Sequence, residues 1–420
     1  MATILAYTSP AHGHLFPLTP ILDELSARGH RIAVRTLASQ VQLMQARGFL
    51  ADAISDRVVS VPEDDWQAGN PREALKRSVR CFCARAEWDA PDLREAITRE
   101  QPDALLVDIN SWGALAVAEA WGGPWAAVCP YPLPLRSIDA PPFGPGWSPA
   151  AGPLSRLRDR ALRPLVLGTI ERTMGPALNM VRERLGLPRL AAADDLFRRP
   201  PLVISLTAEP FEYPRRDWPD NVIMVGPCDW DPPAEFPGWF DQIHGPIVLV
   251  TTSSEFQNDG RLVQTALDAL ADEPVTVVAT VPAGDLSRFR VPANAHVVRF
   301  LPHGLVLDRA VCAVTHGGMG VTQKALAHGV PVCVVPFGRD QLEVARRVEV
   351  ADAGTRLPAR RLRADRLQNK VRQAMTRTAG AKAVAAAFAA TGGPAAAADA
   401  VETRLFGLAK NIGPNPTLIP

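Results

Sequence analysis

The sequence predicts an α/β protein of two domains, each with a parallel β-sheet covered by helices. Strand-like and helix-like patterns alternate in two blocks, which is typical of parallel sheets. A stretch rich in proline and tryptophan separates the blocks. The chain has 420 residues, of which 47% are hydrophobic, so it is long enough for two or three domains with sizeable cores.

The first block covers residues 1–210 and is predicted to form the N-terminal domain. Its helical patterns include residues 18–28 and 93–99, and Gly29 supplies the expected stop of the first of these helices. Short apolar segments bounded by turn residues are interpreted as its strands, at residues 3–8, 31–36, 104–108, 125–129 and 202–206.

Residues 211–240 are predicted to be an interdomain linker, because their proline content cannot sustain a helix or a central strand. The second block, residues 241–392, is predicted to form the C-terminal domain. Its first strands are predicted at residues 246–252, 275–280 and 296–300. Residues 381–409 are alanine-rich and interrupted by Gly392-Gly393-Pro394, so two helices joined by a sharp bend are expected there.

Charge and composition exclude several classes of partner. Forty-five basic residues balance forty-four acidic ones without a long run of one sign, which argues against a nucleic acid or an anionic membrane surface as the partner. The N-terminus has no basic leader, and no apolar stretch is expected to approach the roughly 18 residues that span a bilayer. We therefore expect a cytoplasmic protein, as a monomer or homodimer, with its six scattered cysteines reduced.

Residues 311–341 have the pattern of a pyrophosphate-binding site. They are interpreted as a strand, a turn with glycines at 317, 318 and 320, a helix, a second strand and a polar loop. These glycines allow close approach to the backbone, and the helix that follows directs N–H groups and its positive dipole end at an anion. His316 could donate to a phosphate oxygen. An ordinary turn of an α/β protein also contains glycine, so the turn alone leaves both interpretations open.

The polar loop that ends this segment adds to the pattern. Gly329 ends the helix, residues 330–336 form a buried strand, and Asp340 and Gln341 follow directly. A carboxylate and an amide at this point could bind hydroxyl groups.

The first block offers a second candidate site, in the turn after its opening strand. His14 is expected near a helix N-terminus, where the dipole favours the neutral imidazole that a general base must have. Asp108 ends a buried strand at the same edge of the sheet, where doubly wound folds bind ligands, so a His14–Asp108 pair is plausible. Either residue alone could instead cap a helix.

With these motifs in place, the sequence resembles the GT-B fold, nucleotide-sugar-dependent glycosyltransferases, in particular the macrolide-type, natural-product (UDP-glycosyltransferase-like) family. Residues 311–341 resemble their donor signature, and Gly13-His14-x-x-Pro17 resembles the turn that carries their catalytic histidine. The resemblance covers nearly the whole chain. It implies two Rossmann-like, doubly wound domains facing each other across a cleft, with residues 393–420 returning as a helix and tail to the N-terminal domain.

The resemblance also implies an activity. A hexose or deoxyhexose would pass from a UDP- or TDP-sugar co-substrate to a hydroxyl of a hydrophobic small molecule such as a polyketide, macrolide, phenolic compound or lipid. His14 would be the base and Asp108 would orient it, with inversion at the anomeric carbon. No cofactor or metal is expected, although Asp229-Trp230-Asp231 matches the metal motif of a different glycosyltransferase fold.

Further site residues follow from the same resemblance. Val321 replaces the usual serine or threonine, and Thr322 is the hydroxyl that could take its place. His12, beside the motif, is a less favoured alternative base and is otherwise expected at the cleft. Acceptor contacts are expected from His12, Trp112, Tyr131 and Phe143, the last two in the long loop 131–147. Donor contacts are expected from Ser254, Leu301, His303, His316, Gly318, Met319, Gly320, Thr322, Asp340 and Gln341.

Two alternatives to this activity stay open. One is a catalytically silent homologue that binds the donor and serves as an auxiliary partner of another glycosyltransferase. The other is a sugar-nucleotide epimerase of the same fold, which needs no acceptor.

Overall fold

The computed structural model describes residues 1–150 and 152–407, and within them the strands form two parallel sheets. Strands of the first sheet are β1 (Thr3–Tyr7), β2 (Arg31–Thr36), β3 (Leu50–Ala53), β4 (Ala104–Asp108), β5 (Trp125–Cys129), β6 (Val203–Ser205) and β7 (Val222–Met224). Strands of the second sheet are β8 (Ile247–Thr251), β9 (Thr276–Thr280), β10 (Ala295–Val298), β11 (Ala310–Thr315), β12 (Val332–Val334) and β13 (Gly354–Arg356). The sheet orders are β3-β2-β1-β4-β5-β6-β7 and β10-β9-β8-β11-β12-β13.

Helices connect successive strands in both sheets. Those of the N-terminal part are α1 (His12–Ala27), α2 (Val41–Gln45), α3 (Asp56–Val59), α4 (Pro71–Glu100), α5 (Trp112–Trp121), α6 (Pro153–Arg184) and α7 (Asp195–Arg198). Those of the C-terminal part are α8 (Arg261–Leu270), α9 (His303–Leu307), α10 (Met319–Ala327), α11 (Gln341–Val350), α12 (Ala364–Met375), α13 (Thr378–Ala389) and α14 (Gly393–Ala400).

Each sheet has an apolar cluster on both of its faces. Alternate residues of β1 show this, since Leu5 and Tyr7 pack with α4 and α5 whereas Ile4 and Ala6 pack with α1. Parallel strands covered on both faces are almost entirely apolar, and β8 is fully buried along its whole length. The predicted fold class, two doubly wound α/β domains, is therefore confirmed.

Several elements escaped prediction from the sequence. Strands β3, β7 and β13 have only three or four residues and lie at or beside the sheet edges, where alternation and apolar runs are weak. Strand β7 lies inside the stretch 211–240 that was predicted to be a linker, and it pairs with β6 as the edge of the first sheet. The 32-residue helix α6 was missed because Pro164 and Pro176 interrupt its pattern.

The C-terminal helices return to the first domain. The expected bend is present between α13 and α14, where Gly392 has φ 86° and Gly393 has φ 54°. Apolar residues of α14 and of the π-helical turn Val401–Phe406 pack in the same cluster as α1. Arg28 at the end of α1 donates to Asp399 and Glu402 at 2.6 and 2.7 Å. Residues 408–420 of the predicted tail lie outside the described residues.

One expectation about apolar stretches is corrected. The helical segment Thr378–Phe406 has 29 residues and a stretch of mean hydropathy 1.3, so by length and composition alone it could cross a membrane. Alanine supplies most of this hydropathy, and the segment is divided by the bend at Gly392. Its residues Ala398 and Val401 are fully buried against the first domain, which accounts for its apolar face.

Candidate active site

One large cleft in the described part of the chain lies at the carboxyl ends of strands from both sheets. Its volume is about 2280 Å³, and its walls include His14 and Tyr131 from the N-terminal part and His316 and Asp340 from the C-terminal part. Doubly wound sheets bind ligands at this edge because the loops and helix N-termini that follow the strands converge there. The two candidate sites predicted from the sequence therefore face one cavity.

His14 and Asp108 come together on the N-terminal wall of the cleft. Strands β1 and β4 are neighbours in the sheet, so the turn after β1 lies beside Asp108, the last residue of β4. His14 is in the first turn of α1, and its Nδ1 atom lies 2.6 Å from Asp108 Oδ2. The other carboxylate oxygen accepts from the backbone N–H of Asn110 at 2.7 Å. These two hydrogen bonds hold the Asp108 carboxylate and orient the imidazole of His14, with Nε2 directed away from Asp108.

The helix dipole was expected to favour neutral His14, but the groups around the ring shift its pKa in the opposite direction. Burial lowers the pKa of His14, but the charge and hydrogen bond of Asp108, together with the charges of Asp340 and Glu63, leave this pKa above its ordinary value. A strong hydrogen bond to a buried carboxylate outweighs the dipole of a helix end, which contributes only about 0.3 to 1 kcal/mol. The Asp108 carboxylate therefore favours uptake of a proton by His14, as a general base requires.

The glycine turn on the C-terminal wall needs its glycines for two different reasons. Gly317 has φ 96°, a conformation that strongly favours glycine. Gly318 lies against His316, and a Cβ atom on it would come within 2.5 Å of His316 Nε2. Burial lowers the pKa of His316 to about 4, so its ring is neutral at pH 7. Neutral imidazole keeps one N–H, which can donate to a phosphate oxygen.

Helix α10 starts directly after this turn, at Met319, and its N-terminus opens on the cleft. Met319, Gly318 and Gly320 all line the cavity, and a Cβ atom on Gly320 would meet no other atom within 4 Å. The unpaired N–H groups of the first turn and the helix dipole provide a site for an anion.

Two predicted donor residues do not reach the cleft. Thr322 is fully buried, and its hydroxyl lies 3.3 Å from that of Thr315. It is two residues beyond Gly320 on α10, about 200° around the helix, so it faces the sheet and cannot replace a hydroxyl at position 321. Leu301 is 2% exposed and packs in the core of the second domain. Its side chain is a core residue, whereas the neighbouring Phe300 lines the cavity.

Asp340 and Gln341 lie at the start of α11 and both line the cavity. Burial raises the pKa of the Asp340 carboxyl. The charge of Asp340 in turn raises the pKa of His14 across the cleft. The Gln341 amide is already engaged, because its oxygen accepts from the backbone N–H of Phe337 at 2.7 Å and its nitrogen donates to Gln257 at 2.6 Å. Asp340 is therefore the freer of the two to bind a hydroxyl.

The remaining predicted donor residues, Ser254 and His303, also line the C-terminal wall. His303 Nε2 lies 2.9 Å from the hydroxyl of Thr280. The acidic pair Asp229 and Asp231 also reaches this wall, and both carboxylates contact Lys324 Nζ, at 2.7 and 2.6 Å.

All four predicted acceptor residues line the cavity. The ring of Tyr131 lies 6.0 Å from that of His14, whereas Trp112 packs on Phe82 at 5.2 Å. Phe143 lies on the loop of residues 131–147. His12 lies at the cleft, where its Nδ1 atom is 3.2 Å from Glu255 Oε1 of the other domain.

Sequence reasoning missed the residues that join the two walls. Arg339 donates to both carboxylate oxygens of Asp65, at 3.1 and 3.0 Å. Glu343 on α11 accepts from the backbone N–H groups of Gly144 and Gly146 in the loop of residues 131–147, at 2.8 and 2.9 Å. These partners lie between 197 and 274 residues apart in the chain, and no local pattern of the sequence marks such pairs.

The close contact between Gly318 and His316 yields a first prediction. Gly318→Ala should weaken nucleoside diphosphate binding at least tenfold, because its methyl group would displace the imidazole of His316 from the turn. Isothermal titration with UDP and TDP would measure this. The control is Gly175→Ala in α6, where a Cβ atom meets nothing within 4 Å. Unchanged nucleotide affinity in Gly318→Ala would contradict the assignment of this turn as an anion site.

Comparisons with known proteins identify relatives of the chain. Residues 264–403 match the family profile of the erythromycin biosynthesis protein CIII-like C-terminal domain. The chain is 33% identical over 386 residues to 4'-demethylrebeccamycin synthase of Lentzea aerocolonigenes, covering 88% of this chain and 91% of that protein. It is 27% identical over 418 residues to demethyllactenocin mycarosyltransferase of Streptomyces fradiae, covering 96% of this chain and 86% of that protein.

Solved structures share the fold at low sequence identity. The glycosyltransferase of kitacinnamycin superposes with a TM-score of 0.73 at 23% identity, covering 96% of this chain and 99% of that one. The spinosyn rhamnosyltransferase SpnG superposes with a TM-score of 0.71 at 18% identity, covering 95% of this chain and 100% of that one. Two facing parallel-sheet domains with this likeness define a GT-B glycosyltransferase fold. Within that class, the chain belongs to the macrolide-type family of natural-product glycosyltransferases.

Proposed function

We propose that the protein is an inverting glycosyltransferase that moves a hexose or deoxyhexose from a UDP- or TDP-sugar to a hydroxyl of a hydrophobic small molecule. The observation that carries this proposal is the single cleft in which the His14–Asp108 pair faces the glycine turn at the start of α10. We expect it to act in the cytoplasm, as a monomer or homodimer.

The proposed step is one displacement. His14 Nε2 takes the proton of the acceptor hydroxyl, the acceptor oxygen forms a bond to the anomeric carbon, and the bond from that carbon to the diphosphate oxygen breaks. The leaving electron pair stays on the nucleoside diphosphate. His316 and the N–H groups of the first turn of α10 would stabilise its charge. A single displacement inverts the anomeric configuration.

The acceptor half of the cleft supports an apolar substrate. Phe82, Trp112, Tyr131 and Phe143 contribute aromatic surface to its walls, and Leu167 and Met174 of α6 add aliphatic surface. Pockets with such apolar walls bind largely apolar molecules and use their polar groups to orient them.

The test is product release from purified protein. A panel of UDP- and TDP-sugars with phenolic and macrolide acceptors should release UDP or TDP in the presence of an acceptor, well above a His14→Ala control. Conversion of the donor sugar without any acceptor would instead indicate the epimerase. Nucleotide binding with no acceptor-dependent release in any combination would favour the auxiliary partner.

A thermal-shift screen would identify the nucleotide first. The preferred nucleoside diphosphate, at 100 times its dissociation constant, should add about 2.7 kcal/mol to the free energy of unfolding. UDP and TDP should differ in this screen, and absence of a shift with either would contradict a donor site of this kind.

A further inference from the structure

Asn110 contacts both His14 and Asp108 and has no role in the scheme above. It lies in the turn between β4 and α5, two residues after Asp108. Its side-chain Nδ2 atom is 3.3 Å from His14 Nε2, and its Oδ1 atom accepts from the Tyr131 hydroxyl at 2.8 Å. Its backbone N–H donates to Asp108 Oδ1 at 2.7 Å. Both Asn110 and Tyr131 line the cleft.

The chemistry of His14 fixes which way this amide points. The carboxylate of Asp108 accepts hydrogen bonds, so His14 Nδ1 carries the proton of the neutral ring and Nε2 presents a lone pair. Only a donor can satisfy that lone pair, and the amide nitrogen of Asn110 is such a donor. The Tyr131 hydroxyl then donates to the amide oxygen, which holds the N–H group toward His14 Nε2.

The acceptor hydroxyl must reach the same point. To lose its proton, it has to donate to His14 Nε2 from the cleft side, within about 2.6 to 3.2 Å. Its oxygen would then lie beside the Asn110 amide, whose N–H would be released from Nε2. That oxygen becomes more negative as its proton leaves, so an N–H donor aimed at it is stronger in the transition state than in the ground state.

We propose that Asn110 binds the acceptor oxygen, donating its Nδ2–H to the hydroxyl that His14 deprotonates, and that Tyr131 holds the amide in the required orientation. This inference rests on the proposed function of His14. Asn110 therefore acts on the acceptor, not on the nucleotide donor. The proton goes to His14 Nε2, and the N–H of Asn110 is donated but not transferred.

The charges around His14 give the test a second readout. The pKa of His14 is raised by the charges of Asp108, Asp340 and Glu63, and the Tyr131 ring packs beside His14. An N–H donor on Nε2 favours the neutral ring, because protonation of Nε2 would break that hydrogen bond. Removing this donor should therefore raise the pKa of His14, and the acid limb of kcat/KM against pH should move to higher pH.

The experiment compares Asn110→Ala and the near-isosteric Asn110→Asp with the parent enzyme, using the acceptor found in the activity panel. Asn110→Ala keeps the backbone N–H that supports Asp108. It should lower kcat/KM for the acceptor by about 10² to 10³-fold, the usual effect of losing one such donor, with the KM for the donor unchanged. Asn110→Asp adds a carboxylate beside Nε2, so its acid limb should move to still higher pH than that of Asn110→Ala. Tyr131→Phe should lower kcat/KM about tenfold.

Three outcomes separate this inference from the proposed function. The control Asn369→Ala, exposed on α12 outside the cleft, should behave as the parent. If His14→Ala abolishes transfer while both Asn110 variants keep parental acceptor kinetics and an unmoved acid limb, the role of Asn110 is wrong and that of His14 stands. If His14→Ala keeps full activity, the proposed function fails first. A loss of UDP or TDP affinity in Asn110→Ala as large as its loss in kcat/KM would indicate a structural effect and overturn the inference.

Discussion

Replacing His14 by alanine should lower kcat by about 10² to 10⁴-fold, because the acceptor hydroxyl would lose its general base. Donor affinity should change little, since the nucleotide is proposed to bind to the opposite wall of the cleft. Initial rates at saturating donor and acceptor would measure the loss, and titration with UDP or TDP would measure donor affinity.

The matched control for this variant is His12→Ala. His12 is one position outside the Gly13-His14-x-x-Pro17 motif, and its Nδ1 atom contacts Glu255 Oε1. We expect it to retain most of the parental kcat. A reversed result, with His12→Ala inactive and His14→Ala active, would transfer the role of base to His12. A His14→Ala enzyme with parental kcat would remove the basis of the mechanism.

Loss of Arg347 should have the largest effect on stability, because it lies in a fully buried charge cluster. Its guanidinium donates to Glu212 at 2.8 Å and to Glu343 at 2.9 Å, and all three side chains are at most 2% exposed. Arg347→Met would leave Glu343 without its cationic partner. Breaking a buried pair from one side typically costs about 3 to 5 kcal/mol, and urea denaturation at pH 7 would measure the loss in the free energy of unfolding.

Arg216→Met is the control for this measurement. Arg216 pairs with Asp139 at 2.8 Å, but its side chain is 76% exposed, so its loss should barely change the unfolding midpoint. If Arg347→Met and Arg216→Met unfold at the same urea concentration, the buried cluster does not contribute as its geometry suggests.

The strands that were predicted are those with an unambiguous local signal. Strand β8 is a run of five buried apolar or β-branched residues after a glycine and a proline, which no other local structure explains as well. Strand β13, Gly354–Arg356, has one glycine and one arginine in three residues. It is a strand because β12 lies beside it, and that information is tertiary. The same holds for α6, which crosses two prolines that would end most helices.

The site was predictable where the topology of parallel sheets dictates it. His14 and Asp108 follow neighbouring strands, so their side chains meet at one edge. Thr322 was assigned wrongly to the donor site. The direction of its side chain depends on where α10 begins and on which of its faces packs on the sheet, and the sequence alone does not give either. Asn110 lies within the motif around Asp108, yet its partner Tyr131 is 21 residues away in a loop. Its position beside His14 is visible only in the folded chain.

The most direct measurement of the central claim is a crystal structure of the enzyme with a nucleoside diphosphate and an acceptor bound together. The mechanism predicts the diphosphate on the turn at Gly318 and Gly320, with His316 donating to it. It predicts the acceptor hydroxyl within about 3.2 Å of His14 Nε2. A diphosphate bound away from that turn, or an acceptor whose hydroxyl groups all face away from His14, would contradict the account.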